Sequence, residues 1–193
     1  MSFWGSRAMT IPFTILTARL QRKAEAWCQD RKGAAAVEFA LVAIPFFFLI
    51  FGILEVCLIF IMSTVLENSV SEAARKVRTG QAQESGYTEV EFRRDICNEF
   101  FNLLSCDNKL HIDVRSMTKF SAADMSTPKD ADGNLDDVGF IYDPGEANEI
   151  VAVRVYYEWP LITPIISAPL ANLPDNRHLL QANAVFRNEP FGD

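Results

Sequence analysis

The sequence predicts an α+β fold, in which a long N-terminal transmembrane helix continues into a small outer domain with a second helix and a three-stranded antiparallel sheet. Two observations lead to this prediction. One long apolar segment lies near the N-terminus, and after it helical periodicity is followed by three stretches of alternating apolar and polar residues. Of the 193 residues, 49% are hydrophobic and 22% charged, which rules out a disordered or fibrous chain.

The apolar segment is the first element. Residues 39–54 carry no charge, and after Glu55 residues 56–66 are again uncharged. A bilayer core requires about 20 apolar residues, so a helix that starts at Ala34 crosses a membrane and projects beyond it. A buried core helix of a soluble protein is the less favoured alternative. The run is too long for an ordinary cleaved signal and no small-residue cleavage pattern follows it, which leaves an anchor or a signal cut on its cytoplasmic side.

The charge distribution predicts the orientation of this helix. Residues 1–33 carry a net charge of +4 and the remaining residues one of −11, which together give the −7 of the whole chain. The positive-inside rule predicts that residues 1–33 are a cytoplasmic basic leader and that residues 34–80 form the transmembrane and amphipathic helix. Residues 81–193 are then a periplasmic or extracellular α+β domain. An acidic domain also argues against nucleic acid as a partner, because phosphate binding needs clustered Lys and Arg.

The junction between leader and helix contains an acidic residue that is unfavourable inside a membrane. Arg31, Lys32 and Gly33 precede a tract of small residues, and Glu38 and Phe39 follow where the apolar helix begins. A carboxylate in a membrane segment costs about 2.5–3.5 kcal/mol and therefore needs a partner. A cut after Gly33 would make Ala34 the first residue, and Glu38 could then neutralise its new amine. On these residues alone, an acid in the headgroup region of an uncut anchor explains the pattern about as well.

The same junction resembles a known family. The Arg31-Lys32-Gly33 sequence followed by Glu38-Phe39 is similar to a prepilin cleavage and assembly motif, and residues 33–60 resemble the TadE-like minor pilins of tight-adherence (Tad, or Flp) pilus systems. The likeness continues through residues 65–83 and weakly at residues 185–191. Phe39 stands where major pilins of these systems usually have tyrosine, which fits a minor subunit better.

The resemblance implies a structural role in an adhesive pilus. It implies cleavage between Gly33 and Ala34 by a prepilin peptidase, a membrane aspartic peptidase, with Glu38 as the assembly carboxylate. It further implies a bacterial inner-membrane location and, as partners, the other pilin subunits, the inner-membrane Tad assembly platform and membrane lipid.

The rest of the helix contains a second acid and then an amphipathic half. Glu55 points roughly 100° away from Glu38 around the helix, so the two do not form one ion site. A helix–helix contact or a position near water in the outer leaflet is expected for it. Gly80 is a plausible cap for the C-terminus of the helix. Five apolar residues follow the 3/4 spacing of a stripe that packs on a domain: Leu66, Val70, Ala73, Ala74 and Val77.

The elements of the outer domain follow in order. Thr88 and Glu91 form a capping box, which predicts a helix over about residues 89–104. Alternation then predicts strands around residues 110–115 and 151–158, and more weakly over residues 178–187. Asp113 belongs to the polar positions of the first of these strands.

The cysteines and the acidic loop are the remaining candidate sites. Cys97 and Cys106 are the even pair that would meet an oxidising periplasm, so a disulfide is favoured over two buried free thiols. The pair does not predict a metal site, because no further Cys or suitable His lies near it. Residues 130–137 faintly resemble a calcium loop, but the register of an EF-hand fails there, which favours an Asx-rich surface loop. No metal or cofactor is therefore expected.

Two other classes of function compete with the pilin interpretation. An enzyme is disfavoured, because His111 and His178 are the only histidines and neither accompanies a nucleophile motif. A single-pass membrane-anchored periplasmic sensor or scaffold explains the topology and the disulfide equally well. It does not explain an acid five residues after a glycine at a junction between basic and apolar sequence.

Overall fold

A computed structural model describes residues 31–99, 106, 108–163 and 168–192. It contains helices α1 (Arg31–Arg78), α2 (Gln81–Ser85) and α3 (Glu89–Glu99), then strands β1 (Leu110–Met117), β2 (Ile150–Pro160) and β3 (Arg177–Arg187). One turn of 3₁₀ helix, Phe120–Ala122, follows β1. The α+β fold with one long helix, a further helix and a three-stranded antiparallel sheet is confirmed.

The chain divides into two units, one ending at Leu49 and the other starting at Ile50. In the first, the described residues belong to α1, which contains Pro45 without ending there. Its large apolar side chains are exposed, for example Phe39 at 72% and Ile44 at 71%. By length and composition Gly33–Arg78 could cross a membrane.

The sheet of the second unit is antiparallel in the order β1-β2-β3, so β2 is its central strand. Leu110 of β1 lies opposite Tyr157 of β2, and Tyr157 lies opposite Leu180 of β3. Successive side chains of a strand point to opposite faces, so these three residues share one face. All three are buried.

The core of this unit lies between that face and the helices. The stripe of α1 predicted from the sequence is fully buried in it, and so are Phe92 and Ile96 of α3. Helix α1 is hydrogen-bonded to the segments that follow two of the strands, β2 and β3. The carboxylate of Glu55 binds the loop that follows β2, and the carbonyl of Arg78 accepts the N–H of Glu189, just after β3, at 2.8 Å.

The other face of the sheet is also covered, which the alternation of β1 does not predict. The connection between β1 and β2 folds back so that Phe140 stacks on Tyr156, with ring centroids 5.6 Å apart. Asp113, expected at a polar surface position, is completely buried. Its carboxylate accepts hydrogen bonds from Arg115 at 2.8 Å, from Arg154 at 2.5 Å and from the N–H of Ile141 at 3.1 Å.

The ends of the elements follow from local interactions. The capping box at α3 is present: the N–H of Thr88 donates to Glu91 at 2.8 Å, and the N–H of Glu91 donates to the Thr88 hydroxyl at 3.4 Å. The hydrogen bond from the Thr88 N–H holds the pKa of Glu91 below its ordinary value. Helix α3 is described to Glu99, and the rest of its predicted extent, residues 100–104, lies outside the described residues.

Gly80 ends α1 in the left-handed conformation, with φ of 83°, as its sequence position suggests. A Cβ at this position would lie 2.3 Å from the ring of Phe191. The glycine therefore permits both the turn into α2 and the close approach of the C-terminal segment.

Candidate assembly and anchoring site

The junction residues lie in the first turns of α1. Gly33, Ala34, Glu38 and Phe39 are all helical and all exposed. Glu38 has no hydrogen bond or ion pair with any residue that the structure describes. The helix thus presents, at the start of its apolar segment, an exposed aromatic ring beside a carboxylate that has no partner among the described residues.

The spacing of Ala34 and Glu38 determines what this carboxylate can reach. Residues four apart lie on the same face of a helix, one turn from each other. The Glu38 carboxylate is therefore placed to accept a cation at or near the position of Ala34.

Glu55 occupies a different environment from the one expected. Its side chain is only 3% exposed. Its carboxylate accepts the backbone N–H of Ile162 at 2.6 Å and that of Thr163 at 3.0 Å. The structure thus pairs Glu55 with a loop of its own domain, rather than with another helix or with water. Each carboxylate oxygen accepts one backbone donor of this loop.

Sequence reasoning missed the partners of Glu55. They lie 107 and 108 residues further along the chain and act through backbone groups, so no side-chain motif marks them. The available signal is indirect: residues 159–174 contain no charge and four prolines, an unusual composition for a surface loop of an acidic domain.

Cys97 and Cys106 form a disulfide, with an S–S distance of 2.00 Å and a Cα–Cα distance of 6.1 Å. It ties the end of α3 to the approach of β1. Cys57 is a free and exposed thiol on α1. Cys28 lies outside the described residues.

The two histidines take part in structural contacts. Nδ1 of His111 lies 2.8 Å from the Asp137 carboxylate, and Nδ1 of His178 lies 2.5 Å from the carbonyl oxygen of Leu170. In the acidic loop, Asp130 accepts the N–H groups of Asp132 and Asn134 at 2.9 and 2.8 Å. The hydrogen bond from the Asn134 N–H lowers the pKa of Asp130. Within the described ranges, no three His, Cys, Asp or Glu side chains are grouped as metal ligands would be.

Comparison with known proteins bears on the junction and on α1. A family model described as TadE-like protein matches residues 33–75, which include Gly33, Glu38, Glu55 and most of the buried stripe of α1. No curated protein and no solved structure gives a significant match. The TadE-like family is structural rather than enzymatic and is associated with the tight-adherence pilus. The match confirms the resemblance seen in the sequence over residues 33–75, which are called here the TadE-like segment because they are similar to that family.

Proposed function

We propose that the protein is a minor pilin, or pseudopilin-like structural subunit, that assembles into a tight-adherence pilus used for surface adherence. The TadE-like segment supports a role associated with this pilus. The narrower role rests on one observation: Glu38 is an exposed acid without a partner among the described residues, five positions after Gly33 at the start of an apolar helix.

In this proposal a prepilin peptidase cleaves between Gly33 and Ala34. Cleavage removes the basic leader and creates a positive amine on Ala34, one helical turn from the Glu38 carboxylate. That carboxylate neutralises its own amine or the amine of a neighbouring subunit. The exposed apolar face of α1, with Phe39, then exchanges lipid contacts for contacts with other pilin helices.

The proposed location is the bacterial inner membrane, with a single span. Residues 1–33 face the cytoplasm, because they carry the excess of basic residues. Residues 34–80 cross the membrane and join the domain core, and residues 81–193 lie in the periplasm. The proposed partners are the prepilin peptidase, the other pilin subunits, the inner-membrane assembly platform and membrane lipid.

The mature N-terminus is the direct test. Mass spectrometry of the protein from peptidase-positive cells should identify Ala34 as the first residue, and cells without the peptidase should give the uncut chain. An uncut chain in both strains would contradict the proposal and favour the membrane-anchored sensor or scaffold.

The role of Glu38 is tested separately. Glu38→Ala and Glu38→Gln should insert into the membrane normally but enter sheared pili at a strongly reduced level. Glu67→Ala is the matched control, because Glu67 is an exposed acid on the same helix beyond the apolar segment. Normal incorporation of both Glu38 variants would refute the assigned role.

A further inference from the structure

Glu55 fixes one loop of the domain at a defined level of α1. The loop consists of residues 161–163, directly after β2, and is called here the Glu55-bound loop. The backbone N–H groups of Ile162 and Thr163 both donate to the Glu55 carboxylate. Because these bonds involve the backbone, the level of the loop along the helix does not depend on a flexible side chain of its own.

The helix is still apolar at that level. Immediately before Glu55, Ile53 and Leu54 are 53% and 52% exposed. After it, Ile59 and Met62 pack into the domain, whereas Phe60 and Ile61 on the opposite side are 69% and 54% exposed. Ile61 lies six residues beyond Glu55, which corresponds to about 9 Å along a helix. The apolar surface of α1 therefore continues past the Glu55-bound loop before Glu67 and Asn68 end it.

The Glu55-bound loop also exposes an apolar side chain. Ile162 is 66% exposed, although the neighbouring Leu161 is buried. The charged residues that border residues 159–174 are Glu158 and Asp175. Arg177 pairs with Glu158 at 2.5 Å and with Asp175 at 3.5 Å, and the side chain of Asp175 stays 87% exposed. An exposed isoleucine in an uncharged segment, beside a helix that is apolar above and below it, is costly in water and favourable at the boundary between headgroups and acyl chains.

We propose that the Glu55-bound loop is a second membrane contact, which inserts Ile162 into the periplasmic leaflet next to α1. The ligand is the lipid bilayer itself, because the loop is bound at Glu55, directly after the exposed apolar residues Ile53 and Leu54 of the candidate membrane span. Glu55 orients the loop for this contact and is shielded from lipid by it. The inference rests on the membrane anchoring in the proposed function.

Site-directed spin labelling of the full chain tests this contact. Cys28 and Cys57 are replaced by serine, the Cys97–Cys106 disulfide is kept, and single labels are introduced through Ile162→Cys, Val138→Cys or Leu49→Cys. Val138 is the matched control, because it is a branched apolar residue of the same domain and is 93% exposed. The protein is reconstituted into vesicles of phosphatidylethanolamine and phosphatidylglycerol, and collision rates are measured with oxygen and with a water-soluble nickel chelate.

The proposal expects the ratio of oxygen to nickel collisions to be several-fold higher at position 162 than at position 138. A high ratio at position 49 with equal ratios at 162 and 138 would overturn the second contact and leave the anchoring intact. A low ratio at position 49 would overturn the anchoring and the inference together. If position 162 is protected from both reagents and its spectrum shows spin–spin broadening, Ile162 contacts a second copy of the chain instead of lipid. This result would also overturn the proposal.

Discussion

Lys76 of α1 and Asp95 of α3 are joined by an ion pair of 2.5 Å, which connects the long helix to the second helix of the domain. The hydroxyl of Tyr87 donates to the same carboxylate oxygen. Burial raises the pKa of Asp95, but the hydrogen bonds from Lys76 and Tyr87 outweigh it and leave the pKa below its ordinary value.

This lowered pKa predicts a pH dependence of stability. A carboxyl whose pKa is depressed by folding contributes stability above its unfolded pKa of about 3.9, and this contribution is lost as the pH falls through the folded pKa. Asp95→Asn should therefore lower the free energy of unfolding at pH 7 by about 1 kcal/mol, since both side chains are partly exposed. The variant should also show a smaller loss of unfolding free energy as the pH falls below about 4.

Urea unfolding in detergent between pH 3 and 7, followed by near-ultraviolet circular dichroism, measures this effect. Glu84→Gln is the control, because Glu84 is an exposed acid on the neighbouring α2. Parallel profiles for Asp95→Asn and the unmodified protein would show that Asp95 does not contribute.

Asp113 is the most deeply buried acid of the described domain, and its removal should be far more damaging. Asp113→Ala leaves Arg154, whose side chain is 12% exposed, without its partner. Breaking such a buried pair costs about 3–5 kcal/mol. Asp137→Ala removes only the exposed partner of His111 and should cost less than about 1 kcal/mol. Equal costs for the two variants would contradict the buried network.

Glu55→Ala should release the loop that it binds. The N–H groups of Ile162 and Thr163 would lose their acceptor, and a hydrogen bond to a charged group contributes about 1.5–3 kcal/mol. Hydrogen exchange followed by mass spectrometry should show faster exchange in peptides that cover residues 161–163, and unchanged exchange in β1. Glu67→Ala, which alters an exposed acid three turns later, should leave both regions as they are.

Gly80→Ala should destabilise the domain through two separable effects. The left-handed φ costs about 1 kcal/mol for a residue with a side chain, and the new Cβ would meet the ring of Phe191 at 2.3 Å. Gly86→Ala isolates the first effect, because Gly86 has a φ of 64° with nothing within 4 Å of its Cβ position. In urea unfolding, Gly80→Ala should be much less stable than Gly86→Ala. Adding Phe191→Ala to Gly80→Ala should restore part of the lost stability.

The disulfide should matter for stability and not for processing. Its cysteines are nine residues apart, and closing so short a loop contributes about 2–3 kcal/mol by chain entropy. Cys97→Ser with Cys106→Ser should therefore unfold at lower urea and resist protease less, while the mature N-terminus stays the same. Equal protease resistance of the variant and the oxidised protein would contradict this expectation.

The elements that local sequence determines could be predicted. The capping box at Thr88 marks the start of α3, the stripe from Leu66 to Val77 is buried as its spacing requires, and the three strands follow from alternation. The rest depends on segments distant in sequence. Asp113 is buried because the connection between β1 and β2 covers its face, and Glu55 because a loop 107 residues away supplies its donors.

The contacts of helix α1 have a mechanical consequence when the chain is pulled from one end. From Glu55 to Arg78 it packs on the core of the domain, and each limit is hydrogen-bonded to a segment that follows a strand: β2 at Glu55 and β3 at Arg78. A force along the helix axis therefore loads the interface between α1 and the rest of the domain in shear. The contacts of this interface, which extend over about 35 Å, must then break together. A pull across the axis would instead open the interface from one end, one turn after another, at a much smaller force.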